Sequence, residues 1–168
     1  MSFTSSYYHD LVSTAPDCKN CPLRYKKKVY PDGPIPAQIA FVGEAPGAKE
    51  EREGRPFIGP SGELMWEHFG PAVGIAREDV WVTNAILCRL EKVKLATGAI
   101  LPKDTVMELA AACCHRRLID ELRVVNPNPS FVIVPLGNTA LRALTGIAKA
   151  KIYAYRGSIQ QVDIHGIF

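Results

Sequence analysis

The sequence predicts an α/β protein with a mostly parallel central sheet. Three short apolar segments, residues 39–42, 80–84 and 131–134, have the length and composition of buried parallel strands. Segments with helical spacing of apolar residues separate them, and this alternation is typical of right-handed strand–helix–strand units. Because the carboxyl ends of parallel strands meet at one edge of a sheet, we expect a ligand site near Gly43–Gly47, Asn84 and Gly137.

The elements in the first half follow from local signals. Residues 1–38 are rich in proline, hold the motif Cys18-Lys19-Asn20-Cys21 and have room for a short helix at about residues 8–14. Residues 47–60 predict a long loop of glycine, proline and charged residues, and loops of that length are usually functional. Ser61 can cap a helix that we expect to end at Gly70-Pro71.

The second half contains the longest predicted helix. Residues 91–103 are polar and predict an irregular connection after Cys88. The helix is predicted from about Thr105, which has capping-box spacing to Glu108, and it ends before the prolines at 127 and 129. We expect another helix between Gly137 and Gly146, and a hairpin or edge strand over residues 153–168.

The composition is that of an ordinary globular protein. Of 168 residues, 47% are hydrophobic and 22% are charged, which suits a single domain with a sizeable core. The net charge of +3 permits a polyanionic partner without requiring one. No apolar run approaches the roughly 20 residues that span a bilayer, and the amino terminus lacks a signal-peptide pattern. We therefore expect a cytoplasmic monomer that does not associate with membranes.

The most informative stretch is Gly43-Glu44-Ala45-Pro46-Gly47, directly after the first apolar strand. A rigid loop at this position presents backbone N–H groups at the edge of the sheet where ligands bind. Phe57 lies nearby in a second glycine- and proline-rich stretch, where its ring offers a flat face to a flat ligand.

The five cysteines predict a metal site, because disulfides are rare in a reducing cytoplasm. On the long helix, Cys114 falls on the apolar stripe and is most simply a core residue, whereas Cys113 is turned about 100° away and is free to be a ligand. The proposed ligand set is Cys18, Cys21, Cys88 and Cys113. Four thiolates suit either zinc or a cubane iron–sulfur cluster, and buried thiols without metal are the simpler alternative.

Several motifs in this order resemble those of the family-4 uracil-DNA glycosylases, the iron–sulfur group of the uracil-DNA glycosylase superfamily. The resemblance extends from Cys18 to about Gly157, which is most of the chain. It comprises the Cys-x-x-Cys leader, Gly-Glu-Ala-Pro-Gly followed by Glu50-Glu51, Gly-Arg-Pro-Phe-Ile-Gly-x-Ser-Gly, Val-Thr-Asn, Cys88-Arg89, Ala111-Ala112-Cys113, Val-Ile-Val-x-Leu-Gly and Tyr155-Arg156-Gly157.

The resemblance implies a fold, a reaction and a cofactor. The fold would be a three-layer α/β/α domain, and the reaction would be extrusion of uracil from DNA followed by hydrolysis of its N-glycosidic bond. A [4Fe–4S] cluster would occupy the four cysteines named above, with zinc as the alternative. By analogy, Phe57 stacks on uracil, Asn84 hydrogen-bonds its edge, and Gly43, Glu44 and Ala45 line the pocket, where Glu44 helps to position water.

The resemblance also carries two departures. Ala45 stands where some relatives in the superfamily have a water-activating aspartate, which family-4 members commonly lack as well. The family continues into a fourth strand and a His-Pro loop, whereas here Gly166 follows His165. We therefore expect a single domain over residues 1–168 that is incomplete at its carboxyl end, with weak or no glycosylase activity by itself.

Two other hypotheses are compatible with the residues. One is a non-catalytic module that binds uracil-DNA or a partner protein on the same iron–sulfur scaffold, which an assay of base release distinguishes from an enzyme. The other is an unrelated α/β domain stabilised by zinc, which would be colourless when purified.

Overall fold

The computed structural model describes residues 16–126 and 130–161, and the elements below refer to these residues. In chain order the strands are β1 (Ile39–Gly43), β2 (Trp81–Asn84), β3 (Val93–Lys94), β4 (Ile100–Leu101) and β5 (Val132–Pro135). The α-helices are α1 (Ala48–Glu53), α2 (Pro60–Leu64), α3 (Gly70–Val73), α4 (Lys103–Val125), α5 (Asn138–Thr145) and α6 (Ile152–Tyr155). Short 3₁₀ turns span Pro16–Asn20 and Arg77–Asp79, and a π-helical turn spans Met65–Phe69.

The main sheet has three parallel strands in the order β2-β1-β5. Its register places Gly43 at the end of β1 directly beside Asn84 at the end of β2. The predicted strands and the two predicted helices α4 and α5 are confirmed, with ends shifted by one or two residues. The two predicted side-chain caps are wrong, because α2 begins after Gly59 and α4 after Pro102, which places Ser61 and Thr105 inside their helices.

Alternation along β1 explains why helices cover both faces of the sheet. Ala40 and Val42 point to one face, where they belong to a buried cluster with α4 and α5. Phe41 points to the other face and packs edge-on against Trp66 of the π-helical turn, with ring centroids 6.2 Å apart. The predicted α/β fold is confirmed, and its helices lie in two layers around the sheet.

The segment before β1 covers the free edge of β2. Val29 donates a backbone hydrogen bond to Leu87 at 2.8 Å, and Asp32 exchanges two with Val82, at 3.1 and 2.9 Å. This pairing satisfies groups that an open edge would leave exposed. It also brings the leader with Cys18 and Cys21 alongside Cys88.

The prediction of a continuous loop over residues 47–60 was wrong, because α1 forms within it. The start of α1 is stabilised by the Glu50 side chain, which accepts a hydrogen bond from Gly47 N at 3.1 Å and so caps the first turn. Gly54 ends the helix in the left-handed conformation, with φ of 82°.

The helical segment that begins at α2 does not end at Gly70-Pro71, as predicted, but continues through α3 to Val73. The π-helical turn Met65–Phe69 comes directly before Gly70. Such a turn shifts the hydrogen-bond pattern, so that a proline can follow without clashing with the preceding turn.

Two further predictions need correction. Residues 91–103 are not irregular throughout, because β3 and β4 pair as an antiparallel hairpin. Over its described residues 153–161, the tail contains the short helix α6 where a hairpin or edge strand was expected, and residues 162–168 lie outside the described residues. The helix predicted near residues 8–14 and His165 both lie outside the described residues.

Candidate functional site

A cavity of about 530 Å³ opens at the carboxyl ends of β1 and β2; it is called the main cavity below. Its walls come from the loop after β1, the segment around Phe57, the helices that follow it, and the ends of all three parallel strands. The lining residues are Phe41, Gly43, Glu44, Ala45, Pro46, Gly47, Glu50, Phe57, Pro60, Ser61, Leu64, Met65, Phe69, Asn84, Val134 and Leu136. The five residues predicted to bind or act on uracil, Gly43, Glu44, Ala45, Phe57 and Asn84, therefore face one space.

Gly43 is the point where the side chains of Phe57 and Asn84 meet. A Cβ atom placed on Gly43 would overlap the Asn84 Oδ1 atom and would lie 2.6 Å from Cζ of Phe57. Any side chain at this position would therefore displace the amide or the ring. The absence of a side chain is what allows Phe57 and Asn84 to approach each other across the end of β1.

Phe57 is held in an uncommon backbone conformation, with φ of 54°. Its carbonyl accepts a hydrogen bond from Trp66 Nε1 at 3.0 Å, and the preceding carbonyl of Pro56 accepts one from Arg77 Nη2 at 2.9 Å. A Cβ atom on Gly62 would overlap the Phe57 carbonyl, so the helix can pack against this turn only with glycine there. Conformations of this kind persist where the surroundings enforce them, and they cluster at functional sites.

The Glu50 carboxylate joins the two loops of the main cavity. Besides capping α1 through Gly47, it accepts hydrogen bonds from Ile58 N at 3.2 Å and Gly59 N at 2.7 Å. It is a buried carboxylate, 8% exposed, whose three donors compensate for the loss of water. The loop after β1 and the segment around Phe57 are therefore fixed relative to each other by one side chain.

Glu44 is oriented by a residue from another element. The hydroxyl of Thr139, in the first turn of α5, donates to Glu44 Oε2 at 2.7 Å. Thr139 is buried, whereas Glu44 is exposed at the cavity wall. This contact restrains one carboxylate oxygen. The other, Oε1, has no described protein donor, and Glu44 lines the main cavity.

Asp32 anchors the outer side of the segment around Phe57. Its Oδ2 atom accepts from Arg55 at 2.9 Å and from Arg77 at 3.1 Å. Burial by itself would raise the pKa of Asp32, but the hydrogen bonds from both guanidinium groups outweigh it and hold the pKa below its usual 3.8.

All five cysteines line a second, narrow cavity, called the cysteine pocket below. It lies between the leader, the end of β2 and the middle of α4. Its walls are Cys18, Cys21, Leu23, Arg24, Lys28, Ile86, Leu87, Cys88, Cys113, Cys114 and Arg117. The four cysteines predicted as ligands are thus brought together, and Cys114, predicted as a plain core residue, joins them.

The thiols of the cysteine pocket are strongly desolvated. Burial raises the pKa of Cys21 to about 11 and that of Cys88 to about 12, so both are protonated at neutral pH unless a metal displaces the protons. Cys114 contributes more than any other cysteine to both shifts. Within residues 16–126 and 130–161, no group of three or more histidine, cysteine, aspartate or glutamate side chains is arranged to hold a metal ion.

Arg117 connects the cysteine pocket with β2, and sequence reasoning missed it. Its Nη2 donates to the carbonyls of Asn84 at 2.8 Å and Ala85 at 2.9 Å, and its Nη1 donates to Glu121 at 2.7 Å. Burial lowers the pKa of Arg117, but Glu121 and then Cys114 outweigh that effect and raise it. The only signal for Arg117 in the sequence was its four-residue spacing from Glu121. Pairs with this spacing on a helix are far more often ion pairs exposed to solvent.

The chain combines a parallel sheet, a cavity at the carboxyl edge of that sheet and a pocket lined by cysteines. The chain belongs to the uracil-DNA glycosylase superfamily, whose family model matches residues 30–166. No helix among the described residues is long and apolar enough to cross a membrane.

Within this superfamily, the chain is similar to proteins named type-4 uracil-DNA glycosylase. It is 36% identical to the one from Thermotoga maritima over 84% of this chain and 67% of that protein. It is 32% identical to the one from Archaeoglobus fulgidus over 94% of this chain and 74% of that protein. It is 30% identical to the one from Pyrobaculum aerophilum over 95% and 75%, respectively.

Proposed function

We propose that this chain is a uracil-DNA glycosylase that takes uracil out of DNA into the main cavity and hydrolyses its N-glycosidic bond. The observation that carries the proposal is the meeting of Phe57 and Asn84 over Gly43 in a cavity large enough for a base. A base within a duplex is out of reach, so an enzyme that acts on it must hold the extruded nucleotide by stacking and by hydrogen bonds to its edge.

Phe57 and Asn84 divide the recognition of the base between them. The ring supplies stacking, which is worth roughly 1–3 kcal/mol per base and does not depend on base identity. The Asn84 amide can donate a hydrogen bond to O4 of uracil and accept one from its N3–H at the same time. Arg117 binds the Asn84 carbonyl and Glu121, and these contacts restrain the strand end that presents the amide.

Glu44 is the group we propose to position the attacking water. Thr139 holds its Oε2, so Oε1 is the oxygen that can accept a hydrogen bond from water in the cavity. In the reaction, the bond between the sugar and the base breaks, water adds its oxygen to the sugar carbon, and uracil leaves as an anion that takes up a proton. Backbone dipoles of the Gly43–Gly47 loop would stabilise that anion, which is usually a large contribution in such sites.

We further propose that four thiolates of the cysteine pocket hold a [4Fe–4S] cluster, which would cross-link the leader, the end of β2 and α4. The donor set fits, because an all-thiolate site is typical of such clusters. Zinc is the weaker alternative, since thiolates around one zinc ion, at about 2.3 Å from it, stand closer together than around a four-iron cluster. The described thiols form no group of the single-ion kind.

The fourth ligand is proposed to be Cys114 in place of the Cys113 expected from helical spacing. Cys114 is the strongest cysteine neighbour of both Cys21 and Cys88, and it is buried on the same side of α4 as Arg117. The apolar stripe of α4 marks the face of the helix that points inwards. Cys114 lies on that face, and the same face meets the other cysteines.

The function is tested by incubating the chain with an oligonucleotide that contains a single uracil, and with a matched one that contains cytosine. Wild type should release uracil and no cytosine, which would overturn the weak or absent activity expected from the sequence. Asn84→Ala should lower the rate by about 100- to 1,000-fold, the usual effect of removing one donor to a developing anion. Gln160→Ala is the control, because it removes an exposed amide that does not line the main cavity. Absence of uracil release by wild type, or full activity of Asn84→Ala, would refute the proposal and favour a non-catalytic module.

The cluster is tested by iron content and visible absorbance of the purified protein. Cys88→Ser and Cys114→Ser should each lose iron and colour, whereas Cys113→Ser, the matched control on the same helical turn, should keep both. If Cys113→Ser loses iron and Cys114→Ser keeps it, Cys113 is the ligand after all. A colourless protein with stoichiometric zinc would rule out the cluster.

A further inference from the structure

Arg117 is a buried arginine whose donors are not all used. It is 3% exposed, and its guanidinium group lies between β2 and the cysteine pocket. Nη1 and Nη2 donate four hydrogen bonds, to Glu121, Asn84 and Ala85 at 2.7 to 2.9 Å and to the Thr83 hydroxyl at 3.4 Å. These contacts satisfy one end of the group on the side of β2.

The charge of Arg117 is balanced within the protein. Glu121, one helical turn further along α4, is 1% exposed and also accepts a hydrogen bond from Trp81 Nε1 at 2.9 Å. Removing either partner of a buried pair leaves an uncompensated charge, which is strongly destabilising. The pair therefore restrains both ends of β2, Trp81 and Asn84, and Asn84 carries the proposed base-reading amide.

The remaining donor, the Nε–H of Arg117, is buried and makes no hydrogen bond within the described residues. Buried donors without a partner are rare and usually have a reason. Among the described residues, the other such nitrogens are Nε and Nη1 of Arg77, whose guanidinium group lies over the Trp66 ring. Arg117 instead lines the cysteine pocket together with Cys114, which lies three residues earlier on α4. The guanidinium group of Arg117 therefore contacts the Asn84 carbonyl through Nη2, lines the cysteine pocket and keeps Nε–H without a described partner.

We propose that Arg117 is a positioning residue that couples the two cavities, with its Nε–H reserved for a sulfur of the group bound by the thiols and its Nη atoms holding the Asn84 carbonyl. This inference rests on the proposed function and extends it. A hydrogen bond to a cluster sulfur raises the reduction potential and slows loss of the metal. Because the same guanidinium group anchors the end of β2, occupancy of the cysteine pocket and the orientation of Asn84 are linked.

The test compares Arg117→Lys with Arg116→Lys in the iron-loaded full chain. Arg116 is the matched control, because it is the neighbouring arginine on α4, is largely exposed and pairs with Asp120 on the surface. Lysine keeps the charge but cannot reach both carbonyls, Glu121 and a sulfur at once. A double variant, Arg117→Met with Glu121→Gln, removes both buried charges together, so that a result remains available if the single variant does not fold.

Three readouts are expected to move together. In Arg117→Lys, iron should be lost to a chelator at least 10-fold faster, the reduction potential should fall, and kcat for uracil release should fall at least 10-fold with KM changed less than twofold. The double variant should show the same directions, and Arg116→Lys should match wild type in all three.

Other outcomes would overturn the inference. Unchanged iron loss and potential in both Arg117 variants would mean that Nε–H has no role towards the bound group. Faster iron loss with unchanged kcat would mean that the two cavities are independent. If wild type binds iron but releases no uracil, the proposed function fails alone, and the iron readouts still decide whether Arg117 contacts the bound group.

Discussion

The main cavity and the cysteine pocket differ in how their polar groups are satisfied. The loops of the main cavity are held by the protein's own hydrogen bonds, with Glu50, Trp66 and Arg77 each binding backbone atoms around Phe57. The cysteine pocket is lined by thiols, and burial raises the pKa of Cys21 and Cys88 among them. Buried guanidinium nitrogens without a described partner occur on both sides, Nε of Arg117 at the cysteine pocket and Nε and Nη1 of Arg77 beside the Phe57 segment, so the thiols are what distinguishes the second cavity. The first cavity is preorganised for a ligand that comes and goes, whereas the second is suited to a resident group that completes it.

This difference predicts that changes in the main cavity impair catalysis and leave the bound iron intact. Each variant below is therefore to be measured for uracil release and for visible absorbance. If a change in the main cavity abolished both uracil release and visible absorbance, the two cavities would not respond separately. Variants of Arg117 are excepted, because Arg117 is proposed to link the two cavities.

Next to Asn84→Ala, the largest effect is expected for Gly43→Ala. The added methyl group would overlap Asn84 Oδ1 and approach Cζ of Phe57 to 2.6 Å, so that one of the two side chains must move. Because misplacement of about 1 Å can cost about 100-fold in rate, kcat for uracil release should fall by roughly that factor. Ala48→Gly, at an exposed residue just after the same loop and outside the lining of the main cavity, is the control, and it should retain most of the activity. A Gly43→Ala protein with wild-type kcat would mean that these two side chains do not read the base.

Glu50→Gln should have the next largest effect. A neutral amide offers only one acceptor oxygen to three backbone N–H donors, and hydrogen bonds to a charged group contribute about 1.5–3 kcal/mol. The free energy of unfolding in urea should fall by about that amount, and the stacking position of Phe57 should loosen, so that KM rises.

The neighbouring Glu51 gives a matched control for this variant. It forms a surface ion pair with Arg89 at 3.3 Å, and such pairs are worth little. Glu51→Gln should therefore remain within about 1 kcal/mol of wild type. Equal destabilisation by the two substitutions would contradict the role assigned to Glu50.

Thr139→Val should lower kcat by about 10-fold, because it removes one hydrogen bond to a carboxylate, worth about 1.5 kcal/mol, without changing the shape of the side chain. Thr139→Ser keeps the hydroxyl and should keep most of the activity. The measurement is kcat at saturating uracil-containing oligonucleotide. If the serine variant is as slow as the valine variant, the methyl group of Thr139 is what matters and Glu44 is not oriented in this way.

The smallest effect is expected for Asp32→Asn, because the carboxylate is only partly buried. Its lowered pKa means that Asp32 stabilises the folded protein above pH 3.8, and this contribution is lost as the pH falls through the folded pKa. The variant should lose at most about 1 kcal/mol at pH 7 and should be less sensitive to acid than wild type. Urea unfolding at pH 7 and pH 3 checks this, and an identical pH dependence of the two proteins would count against the assigned contacts.

Helices and strands were predictable where one local signal dominated. The apolar runs of β1, β2 and β5 and the apolar stripe of α4 needed no other part of the chain to be recognised. The helix α1 was missed because its cap is the Glu50 side chain, whose other bonds reach Ile58 and Gly59. The continuation past Pro71 was missed because a π-helical turn leaves no periodic signal in the sequence.

By itself, the sequence determined which residues could carry the chemistry. A glycine loop after a buried strand, a phenylalanine among prolines, an asparagine at a strand end and five cysteines are chemical facts that do not depend on the fold. Only the tertiary structure decided which of them meet. Contacts between Thr139 and Glu44, between Arg117 and Asn84, and among Cys114, Cys21 and Cys88 join residues far apart along the chain. Such pairs become neighbours only when the sheet and helices pack, because packing, not local spacing, sets the distance between them.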